Sequence, residues 1–259
     1  MSLPIWTPDA LSSERLDGKC WRMVEAQHRV STLKVVDTLD EQALLEDLIE
    51  ETKPQIPLEC RHLHYLLATP FRYGSVYPYG SRFRRAGRTL GVYYAAETIM
   101  TAVAEMAFYR LLFFADSPDT PWPHDAAEYT AFAAAIHTDK AVDLTRPPLD
   151  RDEAQWTHPT DYAACQAIAD VAREAGLETI RYRSARDPKG SNVALLMCRG
   201  FAKAKPLEPH TWRIRLGSFG VQAICEFPEK RLEFSRTAFA NDPRLSGLRW
   251  ERGAKPPPR

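Results

Sequence analysis

FRYGSVYPYGSRFRRAGRTLGVYYAAETIMTAVAE, residues 71–105, is the stretch on which the reading of this chain turns. It packs five arginines (Arg72, Arg82, Arg84, Arg85, Arg88) and five tyrosines (Tyr73, Tyr77, Tyr79, Tyr93, Tyr94) among four glycines, then runs into a small-residue helix carrying Glu105. Arginine forks bind phosphate oxygens bidentately, aromatic faces take flat rings, and glycines let backbone come close. The mixture suits an anionic ligand with a ring. A solvated basic hairpin beside a core helix is the plainer alternative, and composition alone does not separate the two. On the helix, Thr101, Ala102, Glu105, Phe108 and Tyr109 share one side, because positions three and four apart are neighbours. A carboxylate on such an apolar helix must meet an arginine or face a cavity, since burying it unpaired costs several kcal/mol.

Working outward, the N-terminal residues 1–60 read as a helical extension. Up to Asp17 they form an irregular arm; Trp21, Val24 and His28 keep helical spacing, and His28 reads as a structural histidine. Thr38 and Glu41 make a capping-box pattern ahead of Leu44, Leu45, Leu48 and Ile49, with Pro54 and Pro57 as the stop. HYLLATPFRYG reads as a buried strand ending at Pro70, and GSRF and GVYYAA as two more. Beyond the helix, the 115–128 loop is proline-rich and acidic, and its His124 reads as a loop residue. EYTAFAAAIHT and KAVDLT read as two strands, PPLDRDEAQWTHPT as a loop, and Thr160–Gly176 as an amphipathic helix stopped by glycine. ETIRYRSARDPKGSNVALL reads as strand, turn and strand, and three short strands follow. Residues 61–235 form the main domain, and 236–259 a polar tail with a disordered end. Short strands without strict βαβ alternation make an α+β domain.

Lys plus Arg and Asp plus Glu each number 34, so net charge is zero; a nucleic-acid or anionic-membrane coat is disfavoured and the 82–88 cluster reads as a local site. Five scattered cysteines without metal-ligand spacing argue for a reducing cytoplasm and against a zinc site. No secretory leader or apolar run of spanning length stands out, so a soluble cytoplasmic protein without membrane contact is expected. Walker A, GxGxxG, GxSxG and HExxH patterns are missing, which removes support for P-loop, Rossmann and common hydrolase sites.

In order along the chain, PFRYG (70–74), GSRFRRAG (80–87), VYYAAETIMTAVAE (92–105) and RYRSARDPKGSNVALL (181–196) resemble the motifs of the RES domain, a family named for its Arg, Glu and Ser. The resemblance spans about residues 62–230. It departs from the family pattern at Ser81, Phe83 and Arg84, where glycine, tryptophan and asparagine are usual. RES proteins are the toxin halves of bacterial toxin–antitoxin pairs with Xre-type antitoxins, and their fold is similar to that of ADP-ribosyltransferases. The resemblance therefore implies an ADP-ribosyltransferase-like mixed or antiparallel β core with flanking helices. It implies NAD+ as a consumed substrate, not a recycled cofactor, cut between nicotinamide and ribose. Water, phosphate or a protein side chain would accept the ADP-ribose. An antitoxin partner is expected, and a homo-oligomer is compatible.

Carried over by position, Arg72 and Tyr73 match the first Arg-Tyr pair, Arg82 the second arginine, Tyr94 the tyrosine before the helix, Glu105 the glutamate and Ser184 the serine. The resemblance assigns Glu105, Arg72 and Ser184 to catalysis. Arg72, Tyr73, Arg82, Tyr94, Ser184 and Asn192 are assigned to NAD+ binding, and no metal is expected. Glu105 would stabilise the developing ribosyl cation, and the arginines would clamp the pyrophosphate. Ser184 would orient Glu105 or contact a ribose, though a turn-capping hydroxyl ahead of Asp187 reads equally well. Glu97 reads as a helix-start residue at the favourable end of the dipole. Protein ADP-ribosylation, and a non-catalytic nucleotide-binding module in which Arg72 pairs with Glu105, are the competing readings.

Overall fold

The computed structural model describes residues 7–8, 11–26, 35–73, 80–87 and 89–252. Eight strands among these residues join in one mixed sheet: β1 (Glu14–Glu25), β2 (Tyr93–Ala96), β3 (Ala127–Asp143), β4 (Thr179–Arg183), β5 (Ser191–Leu195), β6 (Pro209–Gly217), β7 (Gly220–Cys225) and β8 (Lys230–Phe234). β3 is the spine. Along one edge it pairs antiparallel with β1, from Glu14↔Ala141 to Glu25↔Tyr129. Along the other, its first half pairs antiparallel with β6 and its last residues pair parallel with β4. Strands β4, β5 and β2 follow in antiparallel order, and Trp21↔Ala96 joins β2 back to β1. The five strands β1-β2-β5-β4-β3 thus close on themselves into a barrel, while β6, β7 and β8 extend from the spine.

The expectations for two N-terminal stretches are overturned. The stretch from Trp21, expected as a helix behind an irregular arm, belongs to strand β1. Its buried side chains alternate: Trp21 and Met23 join one apolar cluster, while Cys20 and Val24 pack into another. A period of two with burial on both faces suits a strand inside a closed sheet, and pairing with β3 outweighs the local helical spacing. His28 lies outside the described residues. Conversely HYLLATPFRYG, expected as a strand, forms helix α2 (Tyr65–Arg72) with Pro70 inside its last turn. Leu63, Leu67 and Phe71 are four apart and buried together, which is helical spacing. The His64 ring nitrogen Nδ1 caps its start by accepting from Leu66 N at 3.3 Å.

Helices α1 (Leu39–Thr52), α3 (Ile99–Asp116) and α5 (Ala163–Glu174) follow their sequence signals closely. α1 (Leu39–Thr52) carries the full capping box, with Thr38 Oγ1 accepting from Glu41 N at 3.1 Å and the Glu41 carboxylate accepting from Thr38 N. α3 (Ile99–Asp116), capped by Thr98, is apolar around most of its circumference because it packs across the sheet. A one-turn helix, α4 (Glu153–Trp156), interrupts the segment expected as a loop, and α5 (Ala163–Glu174) ends at Gly176, whose φ of +70° closes the helix without a Cβ penalty. The residues expected as two strands at 127–143 are one continuous strand, the shared spine. GSRF, expected as a strand, is a turn: Ser81 and Arg84 exchange both backbone hydrogen bonds, at 2.8 and 3.1 Å.

Beyond β8, residues 236–252 run back along α3. Phe239 and Leu248 are buried against it, and the Trp122 indole donates to the Trp250 carbonyl at 2.9 Å. Arg252 donates to the carbonyls of Phe114, Ser117 and Thr120, capping the end of α3. No helix among the described residues is long and apolar enough to cross a membrane.

Candidate active site

One face of α3 meets the inner ends of β1, β2, β4 and β5 around a cavity of about 590 Å³. Glu105 lines it. Two donors converge on a single oxygen of that carboxylate: the Ser184 hydroxyl gives its hydrogen to Oε1 at 2.7 Å, and the Asn192 side-chain amide donates to the same atom at 2.8 Å. Hydrogen bonds of this kind fix a carboxylate's rotamer. Ser184 also accepts from the backbone N–H groups of Arg186 and Asp187, both at 3.1 Å. One atom, Ser184 Oγ, thus both caps the turn and bonds the glutamate.

The turn carrying Ser184 is pressed onto the start of α3. Thr101 Oγ1 donates to Asp187 Oδ2 at 2.8 Å, and a Cβ built on Gly190 would fall 2.3 Å from Thr101 Oγ1. Only glycine permits that approach. Asn192, on β5, stands in register with Tyr182 on one side and Ala96 on the other. Its carbonyl Oδ1 is buried without a hydrogen-bond partner, so it offers an acceptor to a ligand amide or hydroxyl.

Around Glu105 stand four cavity-lining arginines, Arg22, Arg82, Arg186 and Arg244. Arg82 donates to the carbonyls of Trp156 at 2.5 Å and His158 at 3.1 Å and lies over the Tyr162 ring at 4.7 Å. Arg22 donates to the Tyr94 carbonyl at 2.8 Å. Both guanidiniums meet neutral acceptors there, so their charges face the cavity uncompensated by those bonds. Within the 82–88 cluster the described arginines divide cleanly. Arg82 lines the cavity, Arg84 is buried, and Arg85 pairs with Asp170 at 2.5 Å.

Tyr94 lines the cavity and holds the 81–84 turn, its hydroxyl 2.8 Å from Ser81 Oγ and accepting from Phe83 N at 2.9 Å. Gln166 and Arg173 of α5 tie down the same turn through the carbonyls of Ser81, Arg84 and Phe83. Burial raises the Tyr94 phenol above its ordinary value, and burial followed by the nearby Glu105 charge raises Tyr182 well above it. Both stay neutral at physiological pH and present rings and hydroxyls, not phenolates.

The structure brings together Arg82, Tyr94, Glu105, Ser184 and Asn192 of the residues singled out from the sequence. Arg72 and Tyr73 are not among the residues lining that cavity. Arg72 ends α2 and pairs with Glu50 of α1 at 2.5 Å, lining a second, smaller hollow with α1. The hydrogen bond to Arg72 pulls the Glu50 carboxyl down to about 2. The Arg72–Glu105 ion pair required by the non-catalytic reading is not formed. Glu97, read as a helix-start residue, precedes the Thr98 cap and is gripped by Arg181, with Arg181 Nε to Glu97 Oε1 at 2.5 Å and Nη2 to Oε2 at 2.8 Å. Sequence reasoning missed Trp21, Arg22, Arg186 and Arg244, all lining the cavity. Arg186 was within reach, two residues beyond Ser184 in the same motif; Arg244 carries no local signal. Among the described residues, no group of His, Cys, Asp and Glu side chains could hold a metal ion.

Compared with known proteins, the chain matches no curated sequence. Among solved structures, one chain of the crystal structure of the M. tuberculosis MbcT–MbcA toxin–antitoxin complex is similar to it, with 13% identity and a TM-score of 0.44 over 78% of this chain and 87% of that one. The family model of the RES domain matches residues 56–216, more than half of the sequence and the whole span from α2 to β6. By that match, the chain belongs to the RES domain family.

Proposed function

We propose that this protein is an NAD+-consuming enzyme, the toxin half of a toxin–antitoxin pair, acting in the cytoplasm on the bond between nicotinamide and ribose. The observation that carries this reading is the convergence of Ser184 and Asn192 on one oxygen of Glu105 inside an arginine-lined cavity. On this reading the barrel is a core of the ADP-ribosyltransferase kind.

The chemistry follows from charge. As the bond between ribose C1′ and the nicotinamide nitrogen breaks, its electron pair leaves with the pyridine ring, which becomes neutral, and positive charge develops on the ribosyl C1′ and ring oxygen. A carboxylate fixed beside C1′ stabilises that charge without reorganising. Ser184 and Asn192 hold Oε1 of Glu105, so Oε2 is the oxygen presented to the ribose. An oxygen nucleophile then adds to C1′ and loses its proton. Arg82 and its cavity neighbours would carry the pyrophosphate, and the Tyr94 and Tyr182 rings would flank the nicotinamide ribosyl end. NAD+ is spent in this reaction, so no cofactor is recycled. Such an activity drains a cell of NAD+, and the expected partner is an Xre-type antitoxin that blocks the cavity mouth.

The test is incubation of the purified protein with labelled NAD+. Nicotinamide release by the wild type, lost in Glu105→Gln with the fold retained, supports the reading. Intact NAD+ after hours with folded wild-type protein rejects it. Label recovered as free ADP-ribose, as a phosphorylated product or on protein identifies the acceptor, and the last outcome would make the enzyme a protein ADP-ribosyltransferase.

A further inference from the structure

The family-matched segment ends at residue 216, yet the cavity wall does not. The chain returns along α3 and places Arg244 on the lining, beside the Arg186 that the Ser184 turn places there. One carboxylate links them. Asp242 Oδ2 is 2.7 Å from Arg186 Nη1, and Arg244 grips the same carboxylate with Nη2 on Oδ2 at 2.9 Å and Nε on Oδ1 at 3.0 Å. Both guanidiniums sit over the Phe108 ring, at 3.6 and 4.9 Å from its centroid.

Anchoring the returning segment would need one arginine for one aspartate. Here two cations share a single anion, and the Arg186 and Asp242 side chains are only 5% and 2% exposed. Burial penalises the surplus charge and pulls the Arg186 guanidinium below its ordinary value. Among the described residues, the cavity lining carries Arg22, Arg82, Arg186 and Arg244 against the Glu105 carboxylate, with Asp242 bonded to the last two, and guanidinium donors on so positive a wall are stabilised by an anion bound in that cavity.

The geometry points to a phosphate-binding subsite formed by Arg186 and Arg244, the second supplied from beyond the RES segment and both held in place by Asp242. The inference rests on the reading of the cavity as a site for a phosphorylated substrate. Its ligand is a phosphoryl oxyanion, from either the diphosphate of the dinucleotide or free phosphate. Planar guanidinium forks match such oxygens bidentately, which a lysine cannot do.

Binding measured by calorimetry decides it, with ADP-ribose and inorganic phosphate as probes and the full chain as wild type, Arg244→Gln and Arg244→Lys. Arg244→Gln is expected to raise the Kd of at least one probe about tenfold or more, with Arg244→Lys between it and wild type. Weakening confined to phosphate assigns the subsite to the free ion, and weakening of ADP-ribose assigns it to the substrate's own diphosphate. Should Arg244→Gln fail to fold, Arg244→Lys alone decides: a Kd raised about threefold or more, with an unchanged melting temperature, supports the subsite. Unaltered Kd values for both probes in every folded variant, or failure of the wild type to bind either probe, overturn the inference. Because neither probe needs turnover, a wild type that leaves NAD+ intact would remove the proposed reaction while these binding results still decide the subsite.

Discussion

Ser184 donates its hydroxyl hydrogen to Oε1 of Glu105 at 2.7 Å, joining the turn after β4 to the middle of α3 across 79 residues of sequence. Removing that hydroxyl leaves the carboxylate held by Asn192 alone. A hydrogen bond to a charged group contributes about 1.5–3 kcal/mol. Ser184→Ala is expected to slow nicotinamide release ~10- to 100-fold in kcat with a smaller change in KM, as measured by steady-state kinetics on the folded variant. An unchanged kcat would separate Ser184 from the work of Glu105.

Gly190 sets how closely that turn approaches α3. A methyl group there would lie 2.3 Å from Thr101 Oγ1 and 2.5 Å from Asp187 Oδ2, so the turn must move. Gly190→Ala is expected to lower stability by about 1–3 kcal/mol, the usual range for overpacking. Urea unfolding reads the loss, and the displaced Ser184 should reduce turnover as well.

Arg82 spans the Trp156 carbonyl at the end of α4 and the His158 carbonyl just beyond it, and stacks on Tyr162. A lysine keeps the charge but has no fork to span both acceptors. Arg82→Lys should cost about 1–2 kcal/mol in urea unfolding and raise the KM for NAD+. Unfolding and kinetics with full retention of both values would contradict the placement of Arg82.

Asp242 gives the fold an acid sensitivity. Burial acts to raise its pKa, but the Arg244 hydrogen bonds and the charges of Arg186 and Arg244 outweigh it and hold the carboxyl below its ordinary value. A folded-state pKa below the unfolded value of ~3.9 means a stabilisation fully present above about pH 4 and lost as pH falls through the folded pKa. Asp242→Asn should be less stable than wild type near neutrality and show a flatter decline below about pH 4, followed by tryptophan fluorescence of the Trp122–Trp250 contact.

The legible parts of the fold were those whose signals are local. The Thr38–Glu41 capping box, the Thr98-capped α3 and the Gly176 stop each rest on residues within one or two turns. β1 was not legible because its partner strand lies more than a hundred residues away: Trp21 pairs with Ala133, and that pairing, not spacing, decides its conformation. In α2, Pro70 and the aromatic neighbours masked an apolar repeat of four. The site divides the same way. Glu105, Ser184 and Asn192 stood in recognisable motifs, and the structure joins them. Arg244 and Arg22 did not, because a lone arginine looks alike in sequence whether it meets solvent or a cavity wall. Arg72, prominent in its motif, is instead held by Glu50 of a helix that the motif does not include.

The strand order has a consequence for how copies of this protein meet. At the far end of the sheet β8, the last strand in its order, has an edge with no partner among the described residues. That border carries Lys230, Arg231 and Glu233, all exposed. Charged side chains along an open strand discourage a second chain from adding to it. That edge is thereby guarded against growth, strand by strand, into a filament.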